Sequence, residues 1–189
     1  SFGVKILGSS LLKTSRSNLD YLIVGKALGV TELGQYYFAF NAGLGVSLTI
    51  IKSTTSALYP ILCKYRDDLN ILKQEYLRNL KTIAKLFVPV IILQASLAPF
   101  YVPIVFGEKW TPVVPILVLI CLSGIPRPFD VASFSLLVAV DKPQIALIWN
   151  FIFTVIFTAS IFIGIKWSIL GVASAVLASH AIFIPIFVH

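Results

Sequence analysis

Long apolar runs dominate the chain, and polar residues are concentrated in the short stretches between them. A helix needs about 20 mostly apolar residues to cross a bilayer, because each residue adds about 1.5 Å to its length. The continuous runs lack the strand-length alternation that is typical of a membrane β-barrel. The pattern therefore predicts an all-α integral membrane protein, a bundle of six transmembrane helices. The predicted spans are residues 4–28, 34–62, 83–106, 112–140, 145–165 and 168–188.

The one long connection between predicted spans, residues 63–82, is basic and amphipathic. With its flanks (residues 61–85) it holds six basic and three acidic residues, whereas the connections on the other side have few basic residues. The excess of Lys and Arg predicts a cytoplasmic loop, and six spans then place both ends of the chain in the cytoplasm. Asp67 or Asp68 could cap a helix in this loop. The loop is either a helix on the inner leaflet that runs into the third span or an ordinary solvated connector.

Aromatic residues collect beside the short connections on the opposite side of the membrane. Such residues favour the membrane–water interface, where an apolar ring can carry a polar tip into water. We therefore expect an outer aromatic belt that contains Tyr36, Tyr37, Tyr101, Trp110 and Trp167.

Composition agrees with a membrane protein and excludes other classes. Hydrophobic residues make up 58% of the 189 residues and charged residues 12%, against about 25% charged residues in soluble domains. The net charge of +7 suits cytoplasmic loops and anionic lipid headgroups, and no soluble module for nucleic-acid binding is visible. Cys63 and Cys121 form no CxxC or Cys/His cluster, so we expect structural thiols and no metal site. Because the chain starts at Ser1 and contains no Met, we expect a fragment of a longer protein.

The first predicted span carries a polar stripe on one face. At 100° per residue the stripe is about 120° wide, and such a face cannot turn toward lipid. It must face other helices or a water-filled cavity. Arg16 and Asp20 are four residues apart, so the alternative is a structural ion pair, with the lysines extending toward the interface. The stripe consists of Lys5, Ser9, Lys13, Arg16, Ser17 and Asp20.

The fourth predicted span has a polar, proline-containing segment near its middle. Residues 124–130 read GIPRPFD, and the glycine and two prolines must distort a helix and free backbone carbonyls. A broken helix with charges at mid-depth is typical of transporter binding sites, although Arg127 and Asp130 could simply pair across the kink. In the second span, Lys52 is either a cavity residue or extends to the interface.

Basic residues outnumber acidic ones within the predicted spans, so a cavity lined by them would attract anions. A diphosphate suits such a cavity, since Arg binds phosphate oxygens in a bidentate manner. We predict Arg16 and Arg127 as the main binding residues and Lys13 and Lys52 as further binding residues. Asn18, Asp20 and Asp130 are predicted to support them or to couple an ion. No cofactor is expected, apart from a possible coupling ion, H⁺ or Na⁺.

Four short stretches resemble one transporter family in their sequence, order and spacing. They are SNLDYLIVG at residues 17–25, LGQYY at 33–37, ALYP at 57–60 and FGEKW at 106–110. With the basic loop, they resemble the C-terminal half of bacterial lipid-linked oligosaccharide flippases. These form the polysaccharide-transporter branch of the multidrug/oligosaccharidyl-lipid/polysaccharide exporter superfamily.

The resemblance implies one of two pseudo-symmetric six-helix bundles in the bacterial plasma (inner) membrane, with the N-terminal half of the same transporter as its partner. It implies transfer of undecaprenyl-diphosphate oligosaccharide to the outer leaflet by alternating access, for surface polysaccharide synthesis. The sugar and diphosphate would enter a cationic central cavity while the lipid chain stays in the bilayer. Ion gradients would drive transport, and the chain has no GxxxxGK[ST] loop for ATP.

Two other functions compete with this interpretation. A relative that exports small cationic compounds would want unpaired carboxylates in the cavity, whereas basic residues predominate here. A membrane-embedded glycan polymerase or ligase would carry catalytic residues on a large outer loop, and the predicted outer loops are only a few residues long. No pair of nucleophile and base is apparent either. We therefore expect a transporter and not an enzyme.

Overall fold

The computed structural model describes residues 2–45, 47–49 and 58–188, and this part of the chain is almost entirely helical, with no strand. A π-helical turn, Asn41–Gly45, extends the second helix, and 3₁₀ turns at Glu108–Val113 and Ile165–Trp167 precede the fifth and the last. The prediction of an all-α protein is confirmed. The helices are α1 (Phe2–Ala27), α2 (Val30–Phe40), α3 (Leu58–Lys64), α4 (Leu69–Phe106), α5 (Val114–Leu122), α6 (Arg127–Ala139), α7 (Pro143–Gly164) and α8 (Ser168–Val188).

Three stretches of the described chain are long and apolar enough to cross a membrane: Leu69–Phe106, Glu108–Ala139 and Pro143–Val188. The last of them comprises two separate helices, α7 with 22 residues and α8 with 21. α1 has 26 residues, which is also a sufficient length, but its charges set it apart from an ordinary lipid-facing span. Large apolar side chains such as Leu93, Phe100 and Phe162 are exposed on the outside of the bundle. The length and hydropathy of the helices and the apolar side chains on the outside of the bundle therefore identify the chain as a membrane protein.

α4 begins with a side-chain cap and runs without interruption for 38 residues. The Asp68 carboxylate accepts hydrogen bonds from the backbone N–H groups of Asn70 (3.0 Å) and Ile71 (3.1 Å), which satisfies two donors that a helix start leaves free. Capping by Asp68 is therefore confirmed. At 1.5 Å per residue α4 is about 57 Å long, whereas the apolar core of a bilayer is about 30 Å thick. Residues 69–82 of the basic loop are the first turns of this helix.

The predicted distortion in the fourth span is a complete break between α5 and α6. Residues 123–126 form turns in which the N–H of Gly124 donates to the Cys121 carbonyl (2.9 Å) and the N–H of Ile125 donates to the Leu122 carbonyl (3.1 Å). Pro126 and Pro128 have no N–H to continue the α-helical ladder across this point. The break leaves Arg127 and Asp130 in the first turn of the new helix, α6.

α7 and α8 form a hairpin, α1 packs along α7, and α5 lies between α2, α4 and α8. Gly164 and Gly171 allow the close approach at the end of the hairpin, since a Cβ at Gly164 would lie 2.5 Å from the Gly171 carbonyl oxygen. The largest buried apolar cluster joins α5 to the buried phenylalanines of α7 and includes Leu117, Ile120 and Phe153. A smaller cluster joins α3, α4 and α6.

Side chains of two neighbouring helices satisfy backbone carbonyls at the π-helical turn. The Gln94 amide donates to the Ala42 carbonyl at 3.1 Å, and Ser47 donates to the Gln94 side-chain oxygen at 2.9 Å. The buried thiol of Cys121 donates to the Gly43 carbonyl at 3.0 Å. A π-helical turn disturbs the regular backbone ladder, so these donors stabilise it. Cys63 and Cys121 are both free thiols.

Candidate functional site: a charged cavity between α1, α6, α7 and α8

Five charged side chains on α1 and α6 line one cavity of about 170 Å³. α7 and α8 close its other side with aromatic and apolar residues, and Phe40 at the end of α2 reaches it. The polar stripe of α1 and the broken helix, which the sequence singled out separately, therefore meet at one site. The charged residues that line it are Lys13, Arg16, Asp20, Arg127 and Asp130.

The ion pair at this site differs from the two that the sequence offered. Lys13 Nζ lies 3.2 Å from Asp130 Oδ2, so the pair joins α1 to α6. Arg16 and Asp20 do not pair, and Arg127 and Asp130 do not pair either. Both structural alternatives, an ion pair within α1 and an ion pair across the kink, are therefore wrong.

The break in the helix explains why Arg127 turns away from Asp130. The turn at residues 123–126 leaves the Ser123 carbonyl outside the α-helical ladder, and the Arg127 guanidinium folds back onto Ser123. Its Nε donates to the Ser123 carbonyl at 3.3 Å, and its Nη2 lies 3.4 Å from the Ser123 hydroxyl oxygen. Asp130 is thus free to point across to α1. One of its carboxylate oxygens, Oδ1, is buried and has no hydrogen-bond partner in the described part of the chain.

Each of the three cations lies against an aromatic ring. Lys13 Nζ is 4.2 Å from the centre of the Phe134 ring, Arg16 Cζ is 4.3 Å from that of Phe153, and Arg127 Cζ is 5.3 Å from that of Phe40. A ring face attracts a cation electrostatically and shields it from water. An arginine whose flat face is covered in this way keeps its in-plane N–H groups available for oxygen acceptors. Arg16 Nη1 is buried and has no such acceptor among the described residues.

Asp20 is held by the α1–α2 hairpin and not by a cation. Its Oδ2 accepts a hydrogen bond from the Tyr36 hydroxyl at 2.8 Å, and its Oδ1 accepts one from the Tyr21 N–H at 3.0 Å. Tyr36 is completely buried, so its expected position in the outer aromatic belt is wrong. Tyr37 and Trp167, also predicted for the belt, are exposed.

Of the other predicted site residues, Asn18 is not among those that line the cavity. Asn18 is exposed and its side-chain amide donates to the Thr14 carbonyl, one turn earlier, at 2.8 Å. Lys52 lies outside the described residues. The role of each stays a prediction.

His180 of α8 also lines the cavity, beside Phe153 and Phe157. Its Nδ1 lies 2.9 Å from the Val176 carbonyl, and its ring meets both phenylalanine rings edge-on. These contacts are those of a packed, hydrogen-bonded histidine.

The sequence interpretation missed the aromatic residues of the site. The short α1–α2 connection at residues 28 and 29 gives one usable signal, because residues equally far from a tight turn meet in an antiparallel hairpin. Asp20 and Tyr36 nearly satisfy this condition, since they lie eight residues before and seven residues after the turn. Phe40 and Phe153 have no comparable signal, since their pairing with Arg127 and Arg16 depends on how separate helices pack.

No His, Cys, Asp and Glu side chains in the described ranges are grouped as a metal site requires. The arrangement instead offers cations covered by rings, a buried guanidinium nitrogen of Arg16 without an acceptor among the described residues, and one carboxylate oxygen of Asp130 without a donor there. Such a set of groups can bind an anion that also carries hydroxyl groups.

Comparison with known proteins agrees with the motifs in the sequence. The family described as "Polysaccharide biosynthesis protein" matches residues 1–115. The lipopolysaccharide biosynthesis protein WzxC of Escherichia coli is 28% identical over 86% of this chain and 33% of its own length. An uncharacterized membrane protein in the cps region of Klebsiella pneumoniae is 30% identical over 92% of this chain and 36% of its own.

A third relative, the teichuronic acid biosynthesis protein TuaB of Bacillus subtilis, is 29% identical over 88% of this chain and 34% of its own length. The chain thus spans about a third of the length of these curated relatives. No solved structure matches it. The family match covers more than half of the chain, and the relatives cover most of it, so the predicted resemblance is confirmed. The chain belongs to the polysaccharide biosynthesis protein family.

Proposed function

We propose that this chain is the C-terminal six-helix bundle of a flippase that moves undecaprenyl-diphosphate oligosaccharide across the bacterial plasma membrane. The six spans are α1, the segment from α2 to α3, α4, the broken pair α5–α6, α7 and α8, with both ends of the segment in the cytoplasm. The chain matches proteins named for polysaccharide biosynthesis, and it is itself a membrane protein. Its proposed role in that synthesis is transport and not catalysis.

The observation that carries the proposal is that Arg16 and Arg127 line the same cavity. Phe153 and Phe40 cover their flat faces. Guanidinium edges of this kind match the oxygens of a diphosphate, and a site shielded from water strengthens the attraction. Lys13 is already paired with Asp130, so its charge is partly neutralised. We infer that the two arginines bind the diphosphate and that Lys13 supports them, as Lys52 would.

The carboxylates argue against the export of small cations. Asp20 is engaged by Tyr36 and Tyr21, and Asp130 by Lys13. A cavity for a cation needs carboxylates that are free to approach it. With both oxygens of Asp20 hydrogen-bonded, one oxygen of Asp130 paired with Lys13, and two arginines at the same cavity, an anionic substrate fits better. The same engaged carboxylates are the proposed positions for coupling to H⁺ or Na⁺.

Alternating access supplies the mechanism. The cavity would open first to the inner leaflet and then to the outer one, as this bundle rocks against the other half of the transporter. The diphosphate and the sugar would occupy the cavity during this exchange, because bare lipid cannot solvate them.

The test uses the full-length transporter in liposomes that contain undecaprenyl-diphosphate oligosaccharide. Transport is measured as the appearance of the sugar on the far leaflet, where a lectin or glycosidase can reach it. Arg16→Ala is expected to abolish transport, and Arg16→Lys to retain part of it. Arg78→Ala is the matched control, because the Arg78 side chain is 79% exposed and far from the cavity in sequence.

Transport that survives both Arg16→Ala and Arg127→Ala would reject the proposed binding role of these residues. A correctly folded wild-type protein that moves no lipid-linked glycan but exports small cations would replace the flippase proposal with the exporter.

A further inference from the structure

A second, larger and mostly apolar groove lies between α4 and the helices α6 and α8. Its volume is about 830 Å³. Leu77 and Leu80 line it from α4, Leu136 from α6, and Ile184 from α8. The groove begins at the break between α5 and α6 and extends to Lys73, near the start of α4. On the proposed orientation, it runs from mid-membrane to the cytoplasmic surface.

The groove adjoins the charged cavity. Ile184 lines both spaces, and Pro126, which lines the groove, directly precedes Arg127 of the cavity. An apolar space and a cation-lined space thus share one wall. A molecule with an anionic group at one end and an apolar chain at the other could contact both.

The floor of the groove presents an apolar surface. Tyr76 lines it, but its hydroxyl group is buried in a 2.8 Å hydrogen bond with Ser133. The tyrosine therefore offers its ring to the groove while its polar atom is satisfied elsewhere. Phe129 and Leu136 extend the same surface along α6. Lys73 is the charged residue among those that line the groove, and it is exposed at the end near the start of α4.

We propose that this groove binds the polyprenyl chain of the lipid-linked substrate next to the diphosphate. This inference rests on the proposed function and adds a binding site to it. The diphosphate is covalently attached to the end of the chain, so a diphosphate held by Arg16 and Arg127 requires an apolar path that starts beside them. The groove starts beside the cavity, and Ile184 lines both spaces. The Ile184 side chain is 1% exposed and separates the two spaces, so the polyprenyl chain passes it to enter the groove. The first isoprene units leave the cavity along α8 and lie against Leu77, Leu80 and Leu136.

The test is photocrosslinking in the full-length transporter. A benzophenone amino acid replaces Leu77, which faces the groove, or Leu86 as the control. Both leucines are exposed on α4, and their separation of nine positions places the two side chains on opposite faces of the helix. The liposomes contain labelled undecaprenyl phosphate, which carries neither sugar nor diphosphate. Unlabelled undecaprenyl phosphate or phosphatidylglycerol is added as competitor.

Labelling from position 77 is expected to fall about tenfold with excess unlabelled undecaprenyl phosphate, as mass action requires for a saturable site. Phosphatidylglycerol should leave it unchanged. Labelling from position 86 should respond to both lipids alike, since that position faces bulk lipid. Labelling from 77 that both lipids reduce equally would overturn the proposal. A crosslink from 77 to another segment of the transporter would also overturn it, because that segment and not a lipid would then fill the groove.

The experiment separates the two proposals because it measures binding without transport. Saturable labelling in a protein that moves no oligosaccharide would support the proposed lipid-binding groove and reject the proposed flippase function. Labelling that cannot be saturated, in a protein that is active in the leaflet assay, would reject the lipid-binding role of the groove and leave the flippase proposal in place.

Discussion

Lys13 of α1 and Asp130 of α6 form an ion pair with a separation of 3.2 Å between Nζ and Oδ2. The pair connects the first helix of the chain to the helix that begins after the break. The side chains are 25% and 11% exposed, so water screens the attraction only in part. The contact fixes the cavity wall between two helices that are more than a hundred residues apart in sequence.

The first prediction concerns the stability of this pair. Lys13→Ala and Asp130→Ala should each destabilise the full-length protein by about 1–3 kcal/mol, because each leaves a partly buried charge without its partner. The double variant should lose less than the sum of the two. Thermal unfolding in detergent measures all three. Effects that simply add would show that the pair contributes no coupling energy.

The second prediction concerns the hydrogen bond between Tyr36 and Asp20. Tyr36→Phe removes the donor of a buried 2.8 Å hydrogen bond and leaves one carboxylate oxygen without it. We expect a loss of about 1–3 kcal/mol in the free energy of unfolding. Tyr37→Phe is the control, since Tyr37 is exposed on the same helix. Equal stability of the two variants would show that Asp20 finds another donor.

The residues on the polar face of α1 could be predicted from sequence because the helical repeat alone decides which residues share a face. The side chains that pair with that face could not be predicted from the sequence. Lys13 pairs with Asp130, and this depends on how α1 and α6 pack and on the turn that draws Arg127 back to Ser123. Local spacing favoured pairing of Arg16 with Asp20, four residues apart, and of Arg127 with Asp130, three residues apart. Contacts between separate helices determine the observed pair instead. The break itself was predictable, since Pro126 and Pro128 cannot continue a backbone ladder.

The aromatic side of the cavity had no signal in the sequence. The chain contains 14 phenylalanines, and several, such as Phe100 and Phe162, are exposed on the outside of the bundle. Composition cannot distinguish these from Phe40 and Phe153, which cover the arginines. Only the packing of α2 and α7 against the charged helices does so.

The third prediction follows from the contact between Phe153 and Arg16. Phe153→Leu keeps the position apolar but removes the ring 4.3 Å from the guanidinium, an interaction worth about 0.5–2 kcal/mol. We expect weaker binding of the lipid-linked substrate, seen as a higher half-saturating concentration in the leaflet assay. Phe162→Leu on the same helix is the control, because Phe162 is exposed. Unchanged half-saturation in Phe153→Leu would mean that the ring does not orient Arg16 for binding.

The last prediction concerns the close packing at the helix break, which positions Arg127. A Cβ at Gly124 would lie 2.9 Å from the Cys121 carbonyl oxygen and would overlap the Leu44 side chain. Leu44 belongs to the π-helical turn, so Gly124→Ala should push that turn and the break apart and destabilise the protein by about 1–3 kcal/mol. Gly34→Ala is the matched control, since a Cβ there meets nothing within 4 Å and the helix should tolerate or favour alanine. Thermal unfolding of the two variants checks the difference. Because the strain lies next to Arg127, Gly124→Ala should also impair transport at temperatures where the variant remains folded. A Gly124→Ala protein that is destabilised but fully active would show that the position of Arg127 does not depend on this contact.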